Sequence, residues 1–134
     1  LKHEVERICF IIRDADKIAN LRMLAYEEDM RYLFIGKKDV VPEIDGHISK
    51  EIREYLAKNE TFPRLGNLSV ADRMAGFLSW YYDINYQYSI DFCKKLNVTS
   101  RLVELFKQLC VDEDCKQIFL AKFTDFLQHH QFLR

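Results

Sequence analysis

The stretch Ile11-Ile12-Arg13-Asp14-Ala15-Asp16-Lys17-Ile18-Ala19-Asn20-Leu21-Arg22 contains neither glycine nor proline and reads as continuous helix. At about 100° per residue, Asp16 points the same way as Val5, Cys9 and Ile12, which form an apolar stripe. Asp14 points nearly the opposite way, beside Arg7. The wheel therefore predicts Asp14 in solvent and Asp16 aimed into the protein. A carboxylate aimed inward requires hydrogen-bond donors, a cation or a metal. Asn20 and Met23 follow on the same face. Two readings of Asp16 stand: a structural acid satisfied by its neighbours, or a site acid.

The neighbours of Asp16 divide similarly. Arg13 lies within about 60° of it, and either pairs with the acid or faces a substrate phosphate, which guanidinium geometry suits. Lys17, about 100° away, suits a surface ion pair. Asn20 either contacts a ligand or orients Asp16.

Working outward, 134 residues make one domain, and 49% hydrophobic residues suffice for a core. Twenty basic and 21 acidic residues are mixed along the chain, for a net charge of −1. That excludes the basic face that nucleic-acid binding needs, but leaves room for a local phosphate pocket. No apolar run approaches the roughly 20 residues of a membrane span, and no signal peptide is visible. Cys9, Cys93, Cys110 and Cys115 form no CxxC pair and read as buried, reduced thiols, which predicts a cytoplasmic protein.

With only four glycines and two prolines, long helices are expected. The first runs from about Lys2 to Glu27, and Met30–Ile35 adds a turn before Gly36. Val40-Val41-Pro42 reads as extended, in a connection long enough to cover a site. Ser49 caps a helix reaching about Lys58, followed by a loop from Asn59 to Asn67. Ser69-Val70-Ala71-Asp72 is a capping-box start, and the helix after it continues or restarts over Ile90–Leu96. Thr99 or Ser100 caps the next helix. Asp112-Glu113-Asp114 opens the last, which is expected to bury Ile118, Phe119, Ala121 and Phe126. The fold class is all-α, with five or six helices and no repeat or linker.

Other polar and aromatic residues have plain structural readings. Asp72 is a helix cap, Asp83 bonds a core tyrosine or lines a cleft, and His47 sits in a loop. His129 and His130 form a solvated helix end. Trp80, Tyr81, Tyr82, Tyr86 and Tyr88 are core aromatics or a stacking platform for a nucleobase.

Ala15-Asp16-Lys17-Ile18 resembles the last motif of the HD-domain metal-dependent phosphohydrolases, a helix carrying Ala-Asp, a basic residue and an apolar one. Asn20-Leu21-Arg22 resembles the continuation in the guanosine-polyphosphate hydrolase branch. Trp80–Ser89 is similar to the C-terminal part of stand-alone bacterial HD proteins. The resemblance implies an HD-like helical bundle and hydrolysis of a phosphomonoester or phosphodiester, in a phosphorylated small molecule or nucleotide. It implies Asp16 as metal ligand and catalytic residue, with Asn20 and Arg13 beside the substrate. A divalent ion in such enzymes lowers the pKa of a bound water and polarises a phosphoryl oxygen. The family's upstream His and His-Asp dyad have no counterpart here, because no His precedes an Asp. The expectation is therefore that residues 1–134 form a single domain, the C-terminal part of an HD domain truncated at its N-terminus. The remaining ligands would come from the missing region. The alternative is a non-catalytic helical interaction or regulatory module on a degenerate HD scaffold, with Asp16 a structural acid paired with Arg13. Separately, an incomplete domain would expose apolar surface through which it pairs with another chain, as in a homo-oligomer.

Overall fold

The computed structural model describes residues 1–36, 45–66 and 68–132. Among them the chain is all-α, with seven α-helices and one 3-10 turn. They are α1 (Lys2–Tyr26), α2 (Glu28–Ile35), α3 (Lys50–Arg53), α4 (Val70–Ser79), the 3-10 turn Trp80–Asp83, α5 (Gln87–Lys95), α6 (Val98–Leu109) and α7 (Glu113–His129). The expected extended connection at Val40-Val41-Pro42 lies outside the described residues, as does Asn67 at the end of the expected loop.

Helix ends follow local chemistry, with three departures from expectation. Glu27 turns extended between α1 and α2, and Gly36 ends α2 at a φ of 128°, a left-handed value that favours glycine. The Ser69–Asp72 capping box is formed, each side chain bonding the other's backbone N–H. Helix α3 stops at Arg53 rather than Lys58, and no hydroxyl cap forms at Ser49 because that side chain is drawn to Asp72 instead. Asn97, not Thr99 or Ser100, precedes α6, in the left-handed conformation that asparagine tolerates. Chain 70–95 is broken by the 3-10 turn, so α5 is a restart.

The core is built around α4. Its Ala71, Met74, Ala75 and Leu78 are fully buried, and α4 packs against α2 and α6. Helix α7 closes one side with Cys115, Phe119, Phe123 and Phe126, spaced as one helical stripe. The Phe119 ring meets Phe62 and Phe106 edge-on at centroid distances of 5.7 and 5.3 Å. Ile118 and Ala121, expected inside, are exposed because they lie off that stripe. Tyr81 is fully buried and shares a hydrogen bond of 2.8 Å with Thr99. Burial pushes its hydroxyl far above the usual tyrosine range. Asp83 bonds no tyrosine: it is exposed and accepts from Thr61 Oγ1 at 2.6 Å. The thiols of Cys93, Cys110 and Cys115 are free, buried and pushed upward by that burial, whereas Cys9 is exposed.

His47 and Asp112 join the loop before α3 to the start of α7. The Asp112 carboxylate accepts from Ile48 N at 2.6 Å and pairs with His47 Nδ1 at 2.8 Å and Arg53 Nη2 at 3.4 Å. Burial alone raises its pKa, but the Ile48 N–H, His47 and Arg53 outweigh this and hold it below the ordinary carboxylate value. A lowered folded-state pKa contributes stability above the unfolded pKa, and that stability is lost as pH falls through the folded one. Asp112→Asn is thus expected to cost about 1–2 kcal/mol at pH 7 and to flatten the loss of stability below about pH 4. Urea midpoints of both proteins from pH 6 to pH 3 check this; parallel curves would contradict the assignment.

Candidate functional site

The face of α1 that enters the protein is the opposite of the one its apolar stripe suggests. Asp14 is only 2% exposed, with Leu21, Leu24 and Ala25 on the same inward side. Asp16, expected inside, is exposed, as are Val5, Cys9 and Ile12. The two acids differ by about 200° around the helix, so burying one exposes the other. Burial of Asp14 is made tolerable by four donors from the segment before and within α5. Asn85 N and Nδ2 each reach one carboxylate oxygen at 2.9 Å; Tyr86 N at 3.1 Å and Ser89 Oγ at 2.7 Å reach the other.

Although exposed, Asp16 is not isolated. It stands on the rim of a cleft of about 630 Å³, formed by α1, α2, α3, α4, the 3-10 turn and residues 62–65 and 68. Asn20 lines the same cleft one turn on, its amide donating to the Asp16 backbone oxygen at 2.9 Å rather than to the carboxylate. Arg13 is exposed and is not among the cleft residues; no ion pair joins it to Asp16 among the described residues. Asp16 and Asn20 are therefore brought together, and Arg13 is left apart.

Helix α4 supplies the cleft's long wall through Asp72, Arg73, Gly76 and Phe77, with Trp80 next in the 3-10 turn. The spacing of 72, 73, 76, 77 and 80 places them on one helical face. Phe34, Phe77 and Trp80 form a continuous aromatic row, with centroids 6.1 Å apart for Phe34–Phe77 and 4.9 Å for Phe77–Trp80. Gly76 interrupts the wall: a Cβ there would meet nothing within 4 Å. Glycine inside a helix costs about 1 kcal/mol relative to alanine, and no packing neighbour accounts for it here. Asp72 is 1% exposed and closes the inner end, its charge taken up by donors from Ser49 and Ser69.

Arg64 and Arg73 bring positive charge to the opening, both side chains exposed. Among the described residues neither lies in an ion pair. Sequence reasoning passed over both, and read Asp72 only as a cap. A glycine in an otherwise apolar helix, with Arg three residues before and Trp four after, was the available signal. His47, His129 and His130 lie outside this cleft. Among the described residues no three His, Cys, Asp or Glu side chains converge to hold a metal ion. No helix among them is long and apolar enough to cross a membrane.

Compared with protein-family models, curated proteins and solved structures, the chain matches none.

Proposed function

We propose that the cleft between α1 and α4 is part of the substrate site of a metal-dependent phosphohydrolase acting on a phosphomonoester or phosphodiester. One observation carries the reading: Asp16 and Asn20, singled out by the resemblance to HD phosphohydrolases, line one cleft with Arg64 and Arg73. Arginine binds phosphate oxygens in a fork of parallel N–H donors, so two at one opening suit a phosphorylated ligand. A single carboxylate is not a metal centre, and the described residues alone do not fit one. Asp16 is then one ligand of a set whose other members lie beyond them, and what this chain itself supplies is binding and positioning.

The test is phosphate release from a panel of phosphomonoesters and phosphodiesters by the protein at its natural length. Asp16→Ala is expected to lower hydrolysis at least about 100-fold. Because Asp16 is exposed, the same change is expected to move stability by less than about 0.5 kcal/mol. Unchanged hydrolysis in a folded Asp16→Ala protein would end the reading.

A second reading, an interaction module, is favoured by the outward face of α1. Leu1, Val5, Ile8, Ile12, Ala15 and Ala19 form a stripe spaced by three and four, all exposed, Ile12 by 61%. Antiparallel pairing of two copies of α1 would set Ile8 against Ala19 and Ile12 against Ala15, with Glu4 near Arg22. Light scattering decides it. A dimer converted to monomer by Ile12→Glu supports the module, and a monomer at all concentrations rejects it.

A further inference from the structure

We infer that the ligand of the α1–α4 cleft is an amphiphilic phosphoester, its hydrocarbon chain lying along the α4 wall and its phosphate held by Arg64 and Arg73. The inference rests on the reading of this cleft as a phosphoester site and deepens it by naming what is joined to the phosphate. It gives roles to Phe34, Leu65 and Gly76, on which the sequence resemblance is silent.

The polar groups of the lining lead there first. Among the described residues they are Asp16, Asn20, Arg64, Asp72 and Arg73. Asp72 is already engaged by Ser49 and Ser69, and Asn20 turns its amide onto the Asp16 backbone oxygen. The two guanidinium groups are left to take a phosphate, with the Asp16 carboxylate across from them on the α1 rim. The rest of the lining is apolar, Ile52, Phe62, Leu68, Phe77 and Trp80 among it. A sugar or a base would bring hydroxyls and ring nitrogens that lose water there without gaining partners, whereas a hydrocarbon chain has none to lose.

The shape of the walls agrees. Phe34 meets Phe77 at 82° and Phe77 meets Trp80 at 67°, so each ring is packed edge-on against the next. Such a row is a continuous apolar ridge without the parallel faces that sandwich a flat ring, and a chain can follow it. Gly76 lies between Arg73 and Trp80 on the cleft face, and a Cβ there would meet nothing within 4 Å. That leaves a trough over the helix backbone in which methylene groups fit. At the mouth, Phe34 and Leu65 are 40% and 39% exposed. Large apolar side chains held in water, in one lining with two arginines, are the complement of an amphiphile. The chain covers the first and the phosphate meets the second. About 630 Å³ falls within the range of pockets that enclose a small organic ligand.

Trp80 is the only tryptophan in the chain, so its fluorescence reports on the wall directly. The experiment is titration of the 134-residue chain, without added metal, with butyl, hexyl and octyl phosphate, inorganic phosphate, octanol and AMP, each kept monomeric. The expected result is a saturable change in emission with octyl phosphate, with affinity rising about two- to fourfold per added methylene from butyl to octyl. Phosphate, octanol and AMP should each bind at least about 10-fold more weakly. Arg64→Gln and Arg73→Gln are each expected to weaken octyl phosphate about 10-fold and to leave octanol unchanged. Gly76→Leu should fill the trough and flatten the chain-length series in a protein that circular dichroism shows to be folded, and Gly76→Ala should keep the series. An affinity independent of chain length in the unaltered protein would overturn the inference, whatever the variants do. So would phosphate, octanol or AMP binding as tightly as octyl phosphate, or no saturable change with any probe. Flotation with phosphatidylcholine vesicles carrying phosphatidic acid then tells the two sources of such a ligand apart. Capture that Arg64→Gln abolishes assigns a bilayer lipid, and no capture assigns an amphiphile free in water. Since these measurements involve no metal and no turnover, failed hydrolysis leaves them standing. Hydrolysis of a phosphoester without any response to the alkyl phosphates rejects this inference alone.

Discussion

Asp14→Ala is expected to destabilise the fold by about 3 kcal/mol, roughly a 10 °C fall in Tm for a domain of this size. The carboxylate is 2% exposed and accepts four hydrogen bonds from Asn85, Tyr86 and Ser89. Tyr86 is the N-cap residue of α5 and supplies no side-chain cap. Asp14 therefore acts as a cap delivered from another helix: it satisfies backbone N–H groups at the start of α5 and places negative charge at its positive end. Alanine would leave two backbone donors and two side-chain donors facing a vacated, largely dry position, each costing about 1–3 kcal/mol before relaxation. Asp14→Asn keeps the shape but replaces one accepting oxygen by a donor group, so a loss of about 1–2 kcal/mol is expected. Urea unfolding of the three proteins measures both differences. A loss under 1 kcal/mol for alanine would mean that the inward assignment of Asp14 is incorrect.

The same four donors explain why the orientation of α1 was not legible locally. Apolar residues lie on both sides of the helix, Val5, Cys9 and Ile12 on one and Leu21, Leu24 and Ala25 on the other, so the stripe that points Asp16 inward has a rival that points Asp14 inward. The choice is made by groups 71 to 75 residues away, which reward Asp14 and offer Asp16 nothing. By contrast, features set within a few residues were readable: the end of α1 beside Glu27, the stop at Gly36 and the capping box at Ser69. Aromatic content foretold Phe119 and Phe126 in the core, yet Ile118 faces water because the stripe of α7 is fixed by Phe119 and Phe123. The cleft was half legible. Asp16 and Asn20 lie close in sequence and share a rim, whereas Arg73 meets them only through the packing of α4 against α2 and of α2 against α1, and Arg64 through a segment that Thr61 and Phe62 tie to Ser79.

Asp72→Ala is expected to cost about 3 kcal/mol and, unlike Asp14→Ala, to disturb the cleft as well. The Asp72 carboxylate accepts from Ser49 N at 2.8 Å, from the Ser49 hydroxyl and from Ser69 N at 3.0 Å. It therefore closes the capping box of α4 and anchors the N-terminus of α3 in one group. Removing it strands two partly buried N–H donors and frees α3, whose Ile52 lines the cleft floor. A residue that served only as a local cap would cost about 1 kcal/mol and leave the cleft unchanged. The expected signature is therefore double: an unfolding midpoint lowered by several times the value for a simple cap, and a shift in Trp80 emission of the still-folded protein below its transition. Asp72→Asn should recover part of the stability, because one oxygen remains to accept from Ser49 N or Ser69 N. A loss near 1 kcal/mol with unchanged Trp80 emission would return Asp72 to the role of an ordinary cap and remove it from the architecture of the site.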